Sequence, residues 1–304
     1  RGGDREAARA RVRGAPRGCF ATVTWGSTMQ PWSRMLSVLR QRLGYPPPLS
    51  VELAGRRLTV RKGAVRATPD YDDAWLLACA QHARVVFDVG ANVGQAALVI
   101  LLSNSIEHLV LIEANPAALA IAAENLIRNQ LSARANFVWA FASNVLSEHV
   151  TLWTVGIGSA GSKYQAHAKT ATRKKSSVDV VSVTLDHLCD IYDVVPDLVK
   201  VDVEGAEYDV LRGSMSLASR ARTRFLVEMH SNSQMSMTEN AANVLGWCAD
   251  VGFQAWYLKE HCLLKSTQLI QDRGRCHLLL QPTGWEFPEW LMAIHQSDDL
   301  AKLV

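Results

Sequence analysis

The chain has 304 residues, which allows one large domain or two small ones. Hydrophobic residues make up 48% of it and charged residues 20%, as in ordinary globular proteins, so general disorder is not expected. The net charge of +3 is uneven, because residues 1–18 hold six arginines and two acids. The remainder sums to about −1 and gives no argument for a nucleic-acid partner.

The sequence lacks two features, a long apolar stretch and paired cysteines, and this bears on the class of protein to which the chain belongs. No stretch reaches 18 consecutive apolar residues, so we expect no membrane span. The six cysteines are scattered without a C-x-x-C pair, which is typical of reduced thiols in a cytoplasmic protein and does not predict a zinc site. The sequence makes no prediction of the oligomeric state.

The first 83 residues differ in character from the rest. A basic leader rich in Arg, Ala and Gly offers little to pack and is predicted to be disordered. It is followed by an extension in which a hairpin, turning at Ala54-Gly55, lies between two helices. The first helix, the hairpin and the second helix are predicted at residues 31–43, 51–60 and 72–82. The leader, the extension and the main domain are then residues 1–30, 31–83 and 84–304.

From residue 84 onward, short apolar runs alternate with helical stretches. Runs that are apolar on both faces and separated by helices predict an α/β fold, with a mostly parallel, Rossmann-like sheet covered by helices on both sides. The predicted core strands are residues 85–87, 109–112, 137–141, 198–203 and 224–229. The predicted helices are 95–102, 116–129 and 241–251. Two further strand pairs are predicted, 150–155 with 178–183 and, as an antiparallel edge, 253–258 with 276–280. Between the first pair, residues 156–177 are expected to form a long loop.

The strongest local motif is V-V-F-D-V-G-A-N-V-G, at residues 85–94. It predicts a buried strand ending near Asp88, a sharp turn at Gly90 and close helix packing at Gly94. The spacing misses the G-x-G-x-x-G fingerprint of dinucleotide sites, and Asp88 would repel a pyrophosphate. A carboxylate there suits the ammonium and sulfonium groups of S-adenosylmethionine. The motif therefore favours that cofactor over NAD(P).

A second acid stands at the expected distance from the turn. Glu113 ends the next predicted strand, 19 residues after Gly94. An acid about 20 residues beyond such a turn is placed to accept hydrogen bonds from a ribose diol. Together with the glycine motif, Glu113 predicts a nucleoside-binding site.

Ionisable residues also mark the ends of two later strands. Lys200, Asp202 and Glu204 alternate along one strand and share a face, as Glu228 and His230 do on the next. For Lys200 we expect a structural ion pair with Asp202 or Glu228. Because ligands bind at the carboxyl ends of parallel strands, the other four are candidate functional residues.

Three sequence blocks carry a family resemblance. The chain resembles the FkbM family of methyltransferases in F-D-V-G-A-N-V-G, T-L-D and K-V-D-V-E-G-A-E, and L-V-E-M-H fits the strand that follows. The three blocks are at residues 87–94, 184–186 and 200–207, and the strand that follows is at residues 226–230. The resemblance implies a class I methyltransferase fold with a seven-stranded sheet, S-adenosylmethionine as methyl donor, and usually a hydroxyl acceptor on a small molecule, sugar or natural product.

The resemblance also implies roles for individual residues. It places the methionine end of the cofactor near Asp88, Gly90, Asn92 and Gly94, and the ribose near Glu113. Ala114 and Asp202 are further predicted cofactor-binding residues. Many class I methyltransferases have an acid after the third core strand. Here that stretch is F-A-S-N, so the adenine contact is expected at the Ala142 backbone or the side chains of Ser143 or Asn144.

The sequence also offers candidates for the group that takes the proton from the acceptor hydroxyl. His230 has a suitable intrinsic pKa for a general base, with Glu204 and Asp202 orienting the acceptor, and Glu204 would serve if burial raised its pKa. Alternatively, Asp202, Glu204, Glu228 and His230 could hold a divalent cation that acidifies the hydroxyl.

The rival functions are an NAD(P)-dependent oxidoreductase, a nucleic-acid methyltransferase and a non-catalytic binding module. The G-x-G-x-x-G fingerprint of an oxidoreductase is absent from the sequence. A nucleic-acid methyltransferase would require a basic stripe, which the sequence does not show.

Overall fold

The computed structural model describes residues 47–66, 72–154, 176–231 and 235–304. The predicted leader, the helix at 31–43 and nearly all of the loop at 156–177 lie outside these residues.

A large sheet occupies the centre of the described chain. Its strand order is β12-β11-β13-β10-β9-β3-β4-β5. The strands are β3 (Val85–Val89), β4 (His108–Glu113), β5 (Ala135–Trp139), β9 (Leu198–Val201), β10 (Arg224–His230), β11 (Phe253–Tyr257), β12 (Cys262–Leu263) and β13 (Arg275–Pro282). β3, β4, β5, β9 and β10 run parallel, whereas β13 is antiparallel to both β10 and β11. The predicted mostly parallel α/β sheet is confirmed, and the two-residue β12 extends it beyond the predicted β11–β13 pair.

Two smaller sheets flank the large one. A hairpin pairs β1 (Leu49–Leu53) with β2 (Arg56–Val60), and its turn lies at Ala54-Gly55 as predicted. The other sheet contains β6 (Phe141–Ala142), β7 (His149–Trp153) and β8 (Ser177–Val183) in the order β6-β8-β7. β7 and β8 are antiparallel, which confirms the predicted pairing of these two segments.

Helices cover both faces of the large sheet. The helices are α1 (Asp73–Gln81), α2 (Gln95–Ile100), α3 (Pro116–Arg128), α4 (Leu185–Tyr192), α5 (Glu207–Arg212), α6 (Met215–Ser219), α7 (Met237–Val251) and α8 (Glu289–Met292). Short 3-10 turns are at Ser132–Arg134, Thr267–Leu269 and Leu300–Lys302. Helix α3 begins where Asn115 accepts hydrogen bonds from two main-chain N–H groups and Pro116 takes the first helical position.

Alternation along the strands sorts the core into two layers. Val86 packs with α1, α2 and α3 in one apolar cluster, whereas its neighbour Phe87 packs with α4 to α7 in the other. Leu111 and Ile112 divide in the same way on β4. The sheet is therefore buried on both faces, and the strand ends and the loops that follow them are left to form sites. None of the described helices combines the length and apolar character needed to cross a bilayer.

Candidate active site

The loop after β3 is shaped by left-handed backbone positions. Gly90 and Gly94 have φ of 81° and 86°, and Asn92 has φ of 47°. A Cβ on Gly90 would lie 1.8 Å from the main-chain oxygen of Asp202, and one on Gly94 would lie 2.9 Å from the Cβ of Ala122. The first glycine therefore lets the loop touch the end of β9, and the second lets α2 pack against α3.

Glu113 fastens this loop to the end of β4. One carboxylate oxygen accepts a hydrogen bond from the Asn92 N–H (2.8 Å), and the other accepts one from the Asn115 N–H (2.7 Å). Burial raises the pKa of Glu113, and these two donors partly offset that effect. The carboxylate is thus held in one orientation by backbone groups alone.

The first cleft lies between the loop after β3 and the three-stranded sheet of β6, β8 and β7. It holds about 600 Å³ of space, part of which is open to solvent. Its lining comprises Val89, Gly90, Asn92, Ile112, Glu113, Ala114, Ala140, Phe141, Ala142, Leu152, Asp202, Val203 and Glu204. One part is apolar and the other carries carboxylates, so the cleft suits a ligand with a flat ring at one end and polar groups at the other.

Six of the predicted cofactor residues line this cleft, but Asp88 and Gly94 do not. Asp88 is fully buried below the loop, where Lys200 Nζ lies 3.6 Å from its carboxylate, an ion pair without a hydrogen bond. Burial raises the pKa of Asp88, and the charge of Lys200 opposes that shift. The cation that Asp88 meets in this structure is therefore Lys200.

Lys200 also binds the acid at the end of its own strand. Its Nζ lies 3.1 Å from Asp202, which is the ion pair expected from the sequence. Burial would lower the pKa of Lys200, but Asp202 and Asp88 outweigh burial and raise it. Lys200, on β9, is therefore a positively charged residue that links Asp88 of β3 to Asp202 at the end of its own strand.

A second cleft opens on the other side of Asp202. It holds about 950 Å³ of space, part of which is open to solvent, and it shares Gly90, Asn92 and Asp202 with the first cleft. Its remaining described lining is Gly63, Ala64, Val65, Arg66, Asp72, Asp73, Leu76, Ala91, Val93, Gln95, Ala96, Lys200 and Glu228. Asp202 therefore stands where the two clefts meet.

Carboxylates converge on His230 at the ends of β9 and β10. The parallel register aligns Val201 with Val227, so the residues that follow each strand come together. Imidazole Nδ1 of His230 lies 2.8 Å from Glu207, which is fully buried. Its Nε2 faces three further acids, Glu228 at 3.6 Å, Glu204 at 3.8 Å and Asp202 at 4.0 Å. We call these five residues the His230 cluster. The structure thus brings together all four predicted residues and adds Glu207.

The charges of the cluster shift its titrations. Burial would lower the pKa of His230, but the hydrogen bond and charge of Glu207 raise it to about 9. Burial raises the pKa of Glu204, and the charge of His230 opposes this. Burial also acts to raise the pKa of Glu228, yet His277, His230 and Arg275 bring it below its usual range. With only these side chains around it, the imidazole is therefore protonated at neutral pH.

Side chains that the sequence reasoning missed surround the cluster. Asn240 donates hydrogen bonds to Glu207 (3.0 Å) and to the main-chain oxygen of His230 (2.9 Å). His277, for which the sequence makes no functional prediction, lies 3.2 Å from Asp72 and 3.5 Å from Glu228. His277 is directly opposite Glu228 in the β10–β13 register, so predicting that pairing would have found it.

The chain is similar to known methyltransferase domains. A model of the methyltransferase FkbM domain matches residues 88–255, more than half of the chain. No curated protein sequence matches. A solved structure of methyltransferase FkbM from Methylobacillus flagellatus KT is 15% identical with a TM-score of 0.41, over 65% of this chain and 43% of that one. This chain thus spans less than half of that protein.

Two other similar structures have comparable scores. P. horikoshii TYW2 in complex with MeSAdo is 12% identical with a TM-score of 0.42, over 83% of both chains. The methyltransferase domain of bacterial CtHen1-C is 11% identical with a TM-score of 0.42, over 70% of this chain and 99% of that one. The family match, which includes the glycine loop, Glu113 and the His230 cluster, decides the assignment. The chain therefore belongs to the FkbM family of methyltransferases.

Proposed function

We propose that the protein methylates a hydroxyl oxygen of a small molecule or saccharide. One observation carries the proposal. The first cleft, which suits a nucleoside, ends on Asp202 and Glu204, and Asp202 also lines the larger second cleft. An acceptor in the second cleft would meet the donor beside two carboxylates, which are the groups that a hydroxyl needs in order to be oriented and deprotonated.

The residues of the first cleft fit S-adenosylmethionine. Each oxygen of Glu113 accepts one main-chain hydrogen bond and keeps a second lone pair, which supports a contact to the ribose diol. Ile112, Phe141 and Leu152 provide apolar walls for the adenine ring. Of the three predicted adenine contacts, Ala142 is the one that lines the cleft, so its backbone is the proposed partner.

Asp88 and Gly94 act indirectly in this proposal. Asp88 holds Lys200, which binds Asp202, and Gly94 lets α2 approach α3. The direct contacts toward the methionine end are then Gly90, Asn92 and Asp202.

Geometry favours Glu204 over His230 as the proton acceptor. A general base must reach the substrate, and Glu204 lines the first cleft, whereas His230 lies behind it with Nε2 3.8 Å from the Glu204 carboxylate. The bound donor supplies a methyl carbon already activated by its sulfonium. Glu204 then takes the hydroxyl proton while Asp202 orients the acceptor. The sequence-based preference for His230 as base is revised on this ground.

A transfer assay tests the proposal. The protein is incubated with donor carrying a tritiated methyl group and with panels of hydroxylated small molecules and saccharides. We expect label in an acid- and base-stable ether. Label transferred only to nitrogen or carbon would contradict the hydroxyl assignment, and label transferred only to RNA would contradict the small-molecule or saccharide acceptor. Thermal stabilisation by S-adenosylhomocysteine and not by NAD would check the cofactor separately.

A variant pair tests the base. Glu204→Gln should lower turnover about 100-fold, because the amide cannot accept the proton. Its affinity for S-adenosylhomocysteine should change less than threefold. Glu52→Gln, in the exposed hairpin, is the matched control and should leave turnover unchanged. A fully active Glu204→Gln variant would exclude Glu204 as the base.

A further inference from the structure

We propose that Asp202, Glu228 and His230 bind a divalent cation, which contacts the acceptor hydroxyl from the side of the second cleft. The binding site is argued from the described residues alone. The role of the ion toward the acceptor rests on the proposed function.

The spacing of the three residues leaves room for an ion. His230 Nε2 is 3.6 Å from Glu228 and 4.0 Å from Asp202, and hydrogen bonds to nitrogen span only about 2.7–3.2 Å. One potential ligand atom from each residue lies within 4.8 Å of the other two. A central ion with bonds of about 2.0–2.4 Å would reach all three atoms without a change of fold.

The histidine is held as metal-bound histidines usually are. Its Nδ1 bonds to Glu207, so Nε2 is the nitrogen that faces the gap. Glu207 is in turn fixed by the Gly205 N–H (2.9 Å) and by Asn240 (3.0 Å). A carboxylate behind the imidazole orients the ring and strengthens it as a ligand. The His230 side chain is only 9% exposed. Even so, the three carboxylates of the described cluster that face its Nε2 all lie beyond hydrogen-bond distance from it.

Each of the two carboxylates is also held by a cation of the protein. Lys200 binds one oxygen of Asp202, and the other oxygen is the one facing His230. Arg275 lies 2.9 Å from Oε1 of Glu228, the oxygen that also faces His230, so a bound ion would share that oxygen with Arg275. Glu204 and Glu207 also lie within 4 Å of the imidazole, so four carboxylates converge on one ring. Without an ion, Lys200, Arg275 and a protonated His230 offset their repulsion. A dication would take over the part of His230 and leave the imidazole neutral.

The open side of the gap points to a role in substrate binding. Asp202 and Glu228 both line the second cleft, so further coordination positions would face the space proposed for the acceptor. One nitrogen and two carboxylate ligands suit Mn²⁺ or Mg²⁺ better than a soft metal. An acceptor hydroxyl on such an ion becomes more acidic, and its proton passes to Glu204.

Binding of Mn²⁺ to the full chain, treated with EDTA and dialysed, tests the site without any acceptor. Titration calorimetry and the electron paramagnetic resonance of free Mn²⁺ should show one ion per chain. His230→Ala and Asp202→Asn should each weaken binding at least tenfold. Glu207→Gln, which alters only the residue behind the histidine, should weaken it by roughly tenfold as well.

Controls keep the result specific. His149→Ala, on an exposed strand, should bind Mn²⁺ like the unchanged chain. Asp72→Asn tests the neighbouring Asp72–Glu228–His277 group, which is closer spaced, and it should change Mn²⁺ affinity less than threefold. Thermal unfolding of each variant confirms that it is folded. Failure of the unchanged chain to bind Mn²⁺, or unchanged binding in folded His230→Ala, would overturn the site.

Measuring methyl transfer in the presence of EDTA then distinguishes the existence of the metal site from a catalytic role of the ion. Methyl transfer that survives EDTA, in a chain shown to bind Mn²⁺, would overturn the catalytic role and keep the site. Methyl transfer to nitrogen or carbon would contradict the proposed function without affecting the binding result.

Discussion

The first cleft and the His230 cluster are built in opposite ways. In the first cleft, Gly90 and Asn92 take left-handed backbone positions, and main-chain N–H groups hold Glu113. In the cluster, side chains from β9, β10, α5 and α7 hold each other, as in the chain from Asn240 through Glu207 to His230. Changes in the first region should therefore damage the fold and cofactor binding. Changes at Glu207 or Asn240, which do not line the first cleft, should damage chemistry and leave cofactor affinity intact.

The largest effect is expected from Gly90→Ala. The new Cβ would lie 1.8 Å from the main-chain oxygen of Asp202, and φ of 81° is unfavourable for alanine. The contact is with backbone, so it cannot be relieved by a side-chain rotation. We expect a loss of about 3 kcal/mol or more in the free energy of unfolding, measured by urea denaturation.

Gly246→Ala is the matched control for that variant. Gly246 lies on the exposed side of α7, and a Cβ there meets nothing within 4 Å. Helix propensity predicts a gain of about 0.5–1 kcal/mol. If the two alanine variants were equally stable, the loop after β3 would not depend on backbone geometry, and the comparison would fail.

The next largest effect is expected from Glu113→Gln. Both oxygens of Glu113 accept main-chain hydrogen bonds, and an amide would turn an N–H toward one of those donors. We expect affinity for S-adenosylhomocysteine to fall about 10–100-fold by calorimetry. Glu107→Gln, which breaks an exposed ion pair with Arg84, should leave it unchanged. Equal affinities in both variants would remove Glu113 from the cofactor site.

The same contrast explains what the sequence could and could not predict. The order strand, glycine loop, helix, acid is local, so Gly90 and Glu113 could be placed from spacing alone. The apolar alternation gave the parallel core for the same reason. The burial of Asp88 beneath its loop depends on Lys200, which reaches it from a strand more than 100 residues later. No local pattern reports that contact.

The residues around the His230 cluster show more clearly what cannot be predicted from the sequence. Glu207 is part of a recognisable motif, but its contact with His230 needs α5 to turn back over β10. Asn240 and His277 come from elements whose placement depends on the tertiary fold. His277 faces Glu228 only because β13 inserts between β10 and β11. Sequence reasoning finds the strand-end residues and misses their partners.

Asn240→Ala tests the side-chain construction of the cluster. It removes the hydrogen bonds to Glu207 and to the His230 backbone, which leaves a buried carboxylate with one partner fewer. We expect a loss of about 2 kcal/mol in unfolding free energy and at least tenfold in turnover. Affinity for S-adenosylhomocysteine should stay within threefold. A matching loss of cofactor affinity would show that the two regions are not separable.

The smallest effect concerns Asp73, on the wall of the second cleft. Burial, and then the charge of Asp72, raise the pKa of Asp73 to about 7 from an ordinary value of 3.8. The folded chain therefore binds more protons than the unfolded chain between these two values, so Asp73 makes stability fall as pH rises from about 4 to 7. An asparagine at this position would not ionise, and its side-chain oxygen can still accept the hydrogen bond from Gln95.

Asp73→Asn should therefore gain stability relative to the unchanged chain as the pH rises. We expect the difference in unfolding free energy to grow by about 1–2 kcal/mol between pH 5.5 and 7.5, measured by urea denaturation at both values. Asp272→Asn, at an exposed acid, should change stability by less than about 0.5 kcal/mol at either pH. A difference that shrank with pH would mean that Asp73 is held as a stabilised carboxylate. The second cleft would then offer a fixed negative charge at this wall, and it would favour acceptors that carry a cation.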